Sequence, residues 1–330
     1  MKQILILSVI LLHFLSASCQ EKKITIGFLM DTETIERWKK DKALFIEEVN
    51  NLGGEVLVEV AESDALKQYN QAVQLIEKGV DVLVVIPVDM EKAALIATKA
   101  FESDIPVISY DRLIKNSPLA FHITTNNIEI GELQADYLVK IKQKGNYVLI
   151  TGPESDNNAG LLRKGWYNML QPAIDKQAIK IVKDYFAKAW VADEAYFTIK
   201  ELINNKIPFD AIIAGNDVLA SGALMALNEY NLQGKVLLAG QDAEMAALRN
   251  IVAGNQTITI AKPIDKLAKA AAQAAMSVAK GKNVDYNNNT TDNGLIKVPT
   301  IMLPARVVTK KNIVLTIQWD DNTDQQEIYE

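Results

Sequence analysis

Short apolar segments alternate with segments of helical periodicity along most of this 330-residue chain. The apolar runs, of which residues 82–88 are an example, are rich in Val and Ile, as is typical of strands buried on both faces of a parallel sheet. Residues 64–78, by contrast, carry apolar side chains at helical spacing. Strands joined by crossover helices form doubly wound parallel sheets, and the alternation restarts near Ile128. The sequence therefore predicts an α/β fold with two lobes, each built on such a sheet.

The chain repeats one short motif at two predicted strand ends: Ala-Gly-Asn-Asp at residues 214–217 and Ala-Gly-Gln-Asp at residues 239–242. In each, an apolar run breaks through a glycine into a carboxamide and a carboxylate. Open α/β sheets bind ligands outside the carboxyl ends of their strands, so these polar groups lie where the fold presents a ligand. The polar residues that follow predicted strands are Asp31, Asp111, Arg112, Asn157, Asn158, Asn216, Asp217, Gln241, Asp242 and Lys262.

This set of side chains suits a neutral, hydroxylated ligand. A sugar hydroxyl both donates and accepts, a carboxylate or carboxamide can take two adjacent hydroxyls, and Arg and Lys add pure donors. Trp38 and Trp190 lie close to these strand ends in chain order, and an indole covers the apolar face of a pyranose ring well. A phosphate group would instead favour a basic, glycine-rich loop at a helix N-terminus.

Each of these residues also has an ordinary structural explanation. A single Asp or Asn at a strand end most often caps the following helix, and we assign Asn157 and Asp217 mainly to that role. Asp111 and Arg112 could form a surface ion pair worth under about 1 kcal/mol. Lys262 resists such an explanation, because a lysine that ends an apolar strand needs an anionic or hydroxylated partner.

Several classes of function lack the residues they need. The net charge of −6 and the pI near 5.2 give no electrostatic footprint for nucleic acid. Beyond the N-terminal segment only His122 remains, so zinc sites and histidine triads have no ligands or base; we interpret His122 as a packed strand residue. Phosphate-binding and nucleophile-elbow motifs are absent, and residues 285–292 predict a turn and not a calcium loop. We therefore expect no metal, no cofactor and no enzymatic activity.

Residues 1–19 predict an export signal. Lys2 forms a short basic region, residues 4–15 are apolar but too few to span a membrane, and residues 16–18 are small. Cys19, the only cysteine, follows directly, and we interpret it as the lipid-modified N-terminus of a mature lipoprotein. Ordinary signal cleavage with an unmodified cysteine is the alternative. At the other end we expect strand character near residues 313–317 and disorder in the acidic segment 319–330.

Several motifs give the chain a family resemblance. Over residues 23–313 it resembles the periplasmic sugar-binding proteins of ABC transporters, of the type I, ribose-binding-protein-like family. The stretches that carry the resemblance include IERWKKD (35–41), YDRLI (110–114), DNNAGLLRKG (156–165), NDVLASGA (216–223) and GQDAEMAALRNIVAGNQTITIAKPI (240–264). Of these, ERWKKD, DNNA and the last stretch resemble the D-xylose-binding branch of the family.

The resemblance implies two Rossmann-like lobes joined by three hinge crossings, near residues 125–126, 262–263 and 304. It places residues 23–125 and 263–303 in the N-terminal lobe, and residues 126–262 and 304–318 in the C-terminal lobe. The ligand contacts that it implies are Arg37, Trp38, Asp111 and Arg112 from the first lobe, Asn158, Trp190, Asn216 and Asp242 from the second, and Lys262 at the hinge. Asn157 and Gln241 are candidates of second rank.

The function that the resemblance implies is capture of D-xylose, or a close aldose, by closure of the cleft, followed by delivery to an ABC permease. The protein would be a monomer at the periplasmic or cell-surface side, with membrane contact only through the lipid anchor. Two alternatives stay open: a sensor that presents bound sugar to a membrane receptor, and the core of a LacI-type regulator, although an export signal stands where the latter carries its DNA-binding helices. A carboxylate-based hydrolase would need an acid–base pair of defined geometry, which the sequence does not indicate.

Overall fold

The computed structural model describes residues 23–317 and Ile328, so the predicted signal with Cys19 and nearly all of the acidic tail lie outside the described residues. The strands are β1 (Thr25–Met30), β2 (Glu55–Val60), β3 (Val82–Val85), β4 (Val107–Tyr110), β5 (Phe121–Thr125), β6 (Gly145–Thr151), β7 (Ile179–Phe186), β8 (Ala211–Ala214), β9 (Leu237–Ala239), β10 (Thr259–Ala261), β11 (Thr290–Asp292), β12 (Lys297–Leu303) and β13 (Arg306–Val308). The helices are α1 (Glu36–Asn51), α2 (Ala65–Glu77), α3 (Ala94–Phe101), α4 (Asn127–Ile141), α5 (Asn157–Asp175), α6 (Ala192–Asn204), α7 (Asp217–Glu229), α8 (Met245–Ala253), α9 (Ile264–Ala279) and α10 (Ile313–Ile317).

The first sheet has seven strands in the order β11-β12-β5-β4-β3-β1-β2. Strands β1 to β5 pair in parallel throughout, and Phe28 of β1 lies opposite both Val58 of β2 and Val84 of β3. From the far end of the chain, β12 adds in parallel beside β5, and the antiparallel β11 closes that edge. The carboxyl ends of β1, β3 and β4 therefore lie side by side, where ligands bind in such sheets.

The second sheet has four parallel strands in the order β7-β6-β8-β9. The sequence predicts β10 as a further strand of this sheet, but β10 instead pairs with β13 in a separate two-stranded antiparallel sheet. A single parallel bridge between Ala239 and Ile258 connects the two. The chain passes between the first sheet and this second group after β5, after β10 and between β12 and β13.

Helices cover both sheets with their apolar faces. The Ala-rich α9 returns to the first sheet, where Leu267 and Ala271 share a buried cluster with Phe28 and Phe45. Trp166 of α5 is fully buried in the second lobe, and it can be so because its indole N–H donates to Gln134 Oε1 at 2.7 Å. Within the described residues, none of these helices combines the length and the apolar character that crossing a membrane requires.

The C-terminal segment differs from the sequence prediction. Residues 313–317 form the short helix α10 and not a strand. A turn ends β13 first, because Asn312 Oδ1 accepts from the backbone N–H of Thr309 at 2.7 Å. Ile313 then packs into a buried cluster with Leu248 and Val308. This tertiary contact overrides the strand preference of an Ile-Val-Leu-Thr-Ile run.

A close crossing of α4 and α5 generates a prediction about stability. A Cβ at Gly165 would lie 2.1 Å from the carbonyl oxygen of Ile128, so Gly165→Ala should destabilise the protein by about 1–3 kcal/mol. Gly160 lies in the same helix and a Cβ there meets nothing within 4 Å, so Gly160→Ala should instead stabilise by about 0.5–1 kcal/mol. Thermal unfolding followed by circular dichroism compares the two variants. An unchanged Tm for Gly165→Ala would contradict the close helix crossing.

Candidate ligand-binding site

The strand ends of the two lobes face each other across a cleft, where their side chains enclose an inner cavity. The residues that line it are Ile35, Arg37, Trp38, Asp111, Arg112, Asp156, Asn158, Leu162, Trp190, Asn216, Gln241, Asp242 and Lys262. All nine first-rank residues predicted from the sequence are in this set, together with Gln241. Asn157, the other candidate of second rank, is the first residue of α5 and does not line the cavity.

Local structure explains why these residues converge. Asp111 directly follows β4, Asn216 follows β8, and Asp242 comes shortly after β9, so all three lie at the carboxyl ends of parallel strands. Arg37 reaches the same edge from the first turn of α1, the helix that follows β1. The remaining predicted residues lie in adjoining loops or first turns: Trp38 in α1, Arg112 after β4, Asn158 in α5, Trp190 before α6, Gln241 after β9 and Lys262 before α9.

Arg37 lies at the centre of the site and contacts three carboxylates. Its Nη2 donates to Asp111 Oδ2 at 2.6 Å, and its Nε donates to Asp41 Oδ2 at 3.2 Å. Its Nη1 reaches Asp242 Oδ1, in the second lobe, at 3.3 Å. The Tyr110 hydroxyl donates to the other oxygen of Asp41. A guanidinium group that is only 3% exposed is tolerated because its donors are paired, and the Arg37–Asp242 contact bridges the cleft.

Arg112 forms a second bridge across the cleft. Its Nη1 donates to Asp31 Oδ2 at 2.7 Å and to the carbonyl oxygen of Pro87 at 3.1 Å. Its Nε lies 2.8 Å from Asp156 Oδ2, an oxygen that also accepts from Trp190 Nε1 at 3.0 Å. Because Asp156 and Trp190 belong to the second lobe, this cluster also joins the two lobes.

Lys262 and Asn158 complete the surroundings of Asp111. Lys262 Nζ lies 3.5 Å from Asp111 Oδ2 and 3.6 Å from Asp242 Oδ1. Asn158 Nδ2 donates to Asp111 Oδ1 at 3.0 Å, while Asn158 Oδ1 accepts from Asn127 at the same distance. The lysine that the sequence marks as unusual at a strand end therefore meets the carboxylates that such a position requires.

Burial and ion pairing act in opposite directions on these carboxyl groups. Burial alone would raise the pKa of Asp111, but Arg37 and Lys262 beside it hold that pKa well below its usual range. At Asp41 and Asp156 burial dominates, and the pKa of each carboxyl is raised although an arginine lies next to it. Asp111 is therefore the most firmly ionised of these three acceptors.

Two residues of the site hold backbone conformations that favour glycine. The φ angle of Asp111 is 58° and that of Asp242 is 97°. The backbone N–H of Asp111 still donates to Ile123 at 2.7 Å, and that of Asp242 donates to Ile260 at 2.8 Å. Conformations of this kind cost about 1–3 kcal/mol and gather at functional sites. At Asp111 and Asp242 these conformations occur where the chain leaves a strand end and the carboxylate faces the cleft.

The glycines of the repeated motif make room for side chains. A Cβ at Gly215 would lie 2.9 Å from Trp190 Cζ3, and one at Gly152, directly after β6, would lie 2.1 Å from Trp190 Cε2. The indole of Trp190 thus rests on the backbone of two strand ends. In the second copy, a Cβ at Gly240 would lie 2.0 Å from Asp217 Oδ1. Each glycine permits a close approach that any side chain would block.

Asp217 does not cap α7, contrary to the sequence prediction. The cap is Asn216, whose side chain accepts from a backbone N–H of the first turn at 2.9 Å. Asp217 is fully buried, and its carboxylate accepts from Thr259 Oγ1 at 2.8 Å and Gln256 Nε2 at 2.9 Å. It also accepts from the backbone N–H of Glu244 at 3.1 Å. Its role is to tie together three segments behind the site.

Asn157 is likewise not a cap, because Asp156 fills that position of α5. Asp156 Oδ1 accepts from the backbone N–H of Asn158 at 2.9 Å, while Oδ2 faces Arg112. The sequence prediction did not include Asp156 in the site and assigned the capping role to Asn157. Ile35 and Leu162 also line the cavity. The sequence gives no signal for either, because an apolar side chain in a helix or just before one does not indicate a binding site.

His122 is the packed strand residue that the sequence predicts. It is 3% exposed, and its Nδ1 lies 3.1 Å from the carbonyl oxygen of Ser109. Burial lowers the pKa of His122 to about 4, which keeps the ring neutral at physiological pH. Across the described part of the chain, no group of three or more His, Cys, Asp or Glu side chains is arranged to hold a metal ion.

Glu244, directly before α8, adds negative charge behind Asp242. Its Oε1 is buried and accepts no hydrogen bond from the described residues. Burial, together with the charges of Asp242 and of Glu36 in α1, raises the pKa of Glu244 to about 7. Burial and the charge of Glu244 in turn raise the pKa of Asp217 well above its usual range. Since Glu36 lies in the first lobe, part of this repulsion acts across the cleft.

Two lobes that meet over carboxylates, carboxamides, guanidinium groups and indoles define a two-lobed binding protein for a small polar ligand. The chain matches the periplasmic binding protein domain over residues 26–283 and belongs to that family. The family consists of periplasmic solute-binding proteins and not of enzymes, and membership indicates an exported protein.

Individual relatives resemble the chain along nearly its whole length. A D-xylose-binding periplasmic protein of Haemophilus influenzae is 39% identical over 315 residues, which cover 95% of this chain and 95% of that protein. The D-xylose-binding periplasmic protein of Escherichia coli is 37% identical over 316 residues, again 95% of each. The structure of an ABC transporter solute-binding protein of Clostridium phytofermentans with bound β-D-glucose has a TM-score of 0.86 at 23% identity, covering 92% of this chain and 99% of that one. This last likeness shows the fold alone.

Glu244 makes stability depend on pH. Its pKa of about 7 in the folded protein exceeds the ordinary value of 4.5, so its protonation stabilises the folded state. That contribution is fully present below about pH 4.5 and is lost as the pH rises through about 7. Between about pH 5 and 8 the Tm should therefore fall more steeply in the wild type than in Glu244→Gln, which keeps the raised pKa values of Asp41, Asp156 and Asp217 but loses that of Glu244.

Differential scanning fluorimetry in a series of buffers measures these slopes. Glu77→Gln, at the exposed end of α2, is the matched control and should follow the wild type. Equal slopes for Glu244→Gln and the wild type would rule out a buried, protonated Glu244.

Proposed function

We propose that the chain is an exported, lipid-anchored protein that captures D-xylose, or a close aldose, by closure of its cleft and delivers it to an ABC permease. The observation that carries this proposal is that the nine residues implied as sugar contacts by the family resemblance, drawn from both lobes, line one cavity. Relatives named D-xylose-binding are 37–39% identical along almost all of the chain, which supports this ligand.

In this proposal the carboxylates of Asp111 and Asp242 accept hydrogen bonds from the sugar, while Arg37 and Lys262 donate to it. The contacts that join these groups are uneven: Arg37 to Asp111 is short at 2.6 Å, whereas Lys262 to Asp242 is long at 3.6 Å. Sugar hydroxyls can replace the long contacts and leave the short one intact. In a cleft closed to water, each charge-assisted bond to a hydroxyl is stronger than at the surface.

The two indoles have different proposed roles. Arg37 Cζ lies 4.4 Å from the centroid of the Trp38 ring and Arg112 Cζ lies 5.6 Å from it, so Trp38 orients the two guanidinium groups. Trp190 is partly buried and its indole N–H is fixed by Asp156. We assign Trp190 to the apolar face of the pyranose ring, where stacking recognises the ring and not its hydroxyl pattern.

We assign residues 23–125 and 263–303 to the N-terminal lobe, residues 126–262 and 304–318 to the C-terminal lobe, and the hinge to the three chain crossings. The ion pairs Arg37–Asp242 and Arg112–Asp156 join these lobes at 3.3 Å and 2.8 Å. In the proposed cycle they break when the cleft opens, and water then solvates the charges. A ligand that bridges the same groups shifts the equilibrium toward the closed form.

Isothermal titration of the mature chain without its lipid tests the proposal. D-Xylose, D-ribose, L-arabinose, D-glucose and D-galactose are the ligands, and we expect D-xylose to bind most tightly. Heat with none of the five sugars would refute the proposed function.

Trp190→Ala should weaken binding of all pyranoses by a similar factor, about tenfold, because the stacking surface is lost while the hydroxyl contacts remain. The same titrations measure it. Trp190→Phe keeps an aromatic face but loses the bond to Asp156, and we expect a smaller loss. Unchanged affinity in Trp190→Ala, or a loss confined to one sugar, would remove Trp190 from the proposed stacking role.

Cys19 is the proposed site of lipid attachment. Cys19→Ser should abolish incorporation of radiolabelled palmitate and move the protein from the membrane fraction to the soluble fraction of the cell. Ser18→Ala keeps a small residue before the cysteine and serves as the control that retains the label. Unlabelled wild-type protein would contradict the anchor and support ordinary signal cleavage.

A further inference from the structure

A second cavity adjoins the inner one at the mouth of the cleft, and the proposed monosaccharide site does not use it. We call it the outer chamber. Its volume is about 130 Å³, against about 30 Å³ for the inner cavity. The polar side chains that line it include Asp31, Thr32, Thr34, Ser63, Ser155 and Lys188. They come from both lobes, so the chamber takes its shape only when the cleft is closed.

The two cavities share a wall. Ile35, Arg112 and Trp190 line both of them, whereas the hinge residue Lys262 lines only the inner cavity. The outer chamber therefore lies on the side of the cleft away from Lys262. A ligand with one part in each cavity would pass its linking atoms between these three shared side chains.

Asp31 supplies an acceptor that no other group uses. It is the strand-end residue after β1, it is 6% exposed, and its Oδ2 accepts from Arg112 at 2.7 Å. Its Oδ1 is buried and accepts no hydrogen bond from the described residues. A buried carboxylate oxygen without a donor is unfavourable, so a ligand that brings a donor to this oxygen gains binding energy.

The rest of the lining defines the chemistry of that ligand. The Thr32 and Thr34 hydroxyls lie 3.0 Å apart and bond to each other, which leaves the pair one donor and further acceptor capacity, and Ser155 adds a third hydroxyl; these groups match a hydroxylated partner. Arg112 already donates to Asp31 and Asp156, and the carboxylate of Asp31 repels anions. Although Lys188 also lines the chamber, the open acceptor and the hydroxyl groups favour a partner with hydroxyl donors.

We propose that the outer chamber is a second sugar subsite, which takes the second ring of a disaccharide whose first ring occupies the inner cavity. This inference rests on the proposed function, because the first ring needs the inner site. Asp31 Oδ1 accepts from a hydroxyl of the second ring, and Ser155 contributes a further hydrogen bond from the other lobe.

Isothermal titration with D-xylose and with β-1,4-xylobiose tests the proposal, and the ratio of the two dissociation constants is the readout. The ratio is needed because Asp31 also holds Arg112 and so affects both ligands. We expect xylobiose to bind with a stoichiometry of one. Asp31→Asn puts a donor where the acceptor was, so it should raise the xylobiose-to-xylose ratio by about tenfold, and Ser155→Ala should raise it by about threefold. Asp242→Asn, which lines only the inner cavity, should weaken both sugars and leave the ratio unchanged.

The outcomes separate this inference from the proposed function. Binding of D-xylose without binding of xylobiose would overturn the second subsite and leave the monosaccharide site intact. Binding of xylobiose with an unchanged ratio in both Asp31→Asn and Ser155→Ala would also overturn it, because the second ring would then lie elsewhere. Failure of both sugars to bind would overturn the subsite, while the proposed function would fall only if none of the five monosaccharides bound either.

Discussion

The buried guanidinium group of Arg37 is the contact on which the rest of the site depends. It holds Asp111 at 2.6 Å and reaches Asp242 at 3.3 Å, and these carboxylates follow strands of different sheets. Burying such charges is unfavourable unless they are paired and hydrogen-bonded. The closed cleft satisfies this condition with protein groups, and an open cleft would satisfy it with water. Closure therefore depends on the small difference between the free energy of pairing these charges in the protein and the free energy of hydrating them. A ligand can shift that balance.

The same pairing prepares the site to receive a ligand. Arg112 is held by Asp31 and Asp156. Trp190 donates to Asp156, and its ring packs directly against the backbone of Gly152 and Gly215. Side chains that are already ordered lose little conformational freedom when a ligand binds. The positive φ angles at the two carboxylate positions of the cleft fit this picture, since strained backbone persists where the surrounding structure holds it in place.

Much of the fold could be predicted because its signals are local. Parallel strands buried on both faces are continuous apolar runs, and Asp64, which accepts from the backbone N–H groups of Leu66 and Lys67, marks the start of α2 as the sequence indicates. The prediction failed where a tertiary contact decided the outcome. Residues 313–317 have strand composition, yet they form a helix because Ile313 packs against Leu248 and Val308.

The candidate site divides in the same way. Strand-end chemistry indicated Asp111, Asn216 and Asp242, whereas Arg37 entered only through the family resemblance, because an arginine in a first helical turn carries no signal of its own. Asp156 and Asp217 show what could not be predicted from the sequence. Both are aspartates beside a helix start, and only the structure reveals that Asp156 caps α5 while it also bridges the cleft, and that Asp217 does not cap at all.

Periodicity and residue type thus determine the class of fold, the edge of the sheets where polar groups gather, and the neutral, hydroxylated character of their ligand. The tertiary structure alone decides which charges pair across the cleft and which carboxylate oxygen, Asp31 Oδ1, is buried without a donor among the described residues. The physical reason is distance along the chain: Arg37 and Asp242 are 205 positions apart, and their contact depends on how the two sheets are placed against each other.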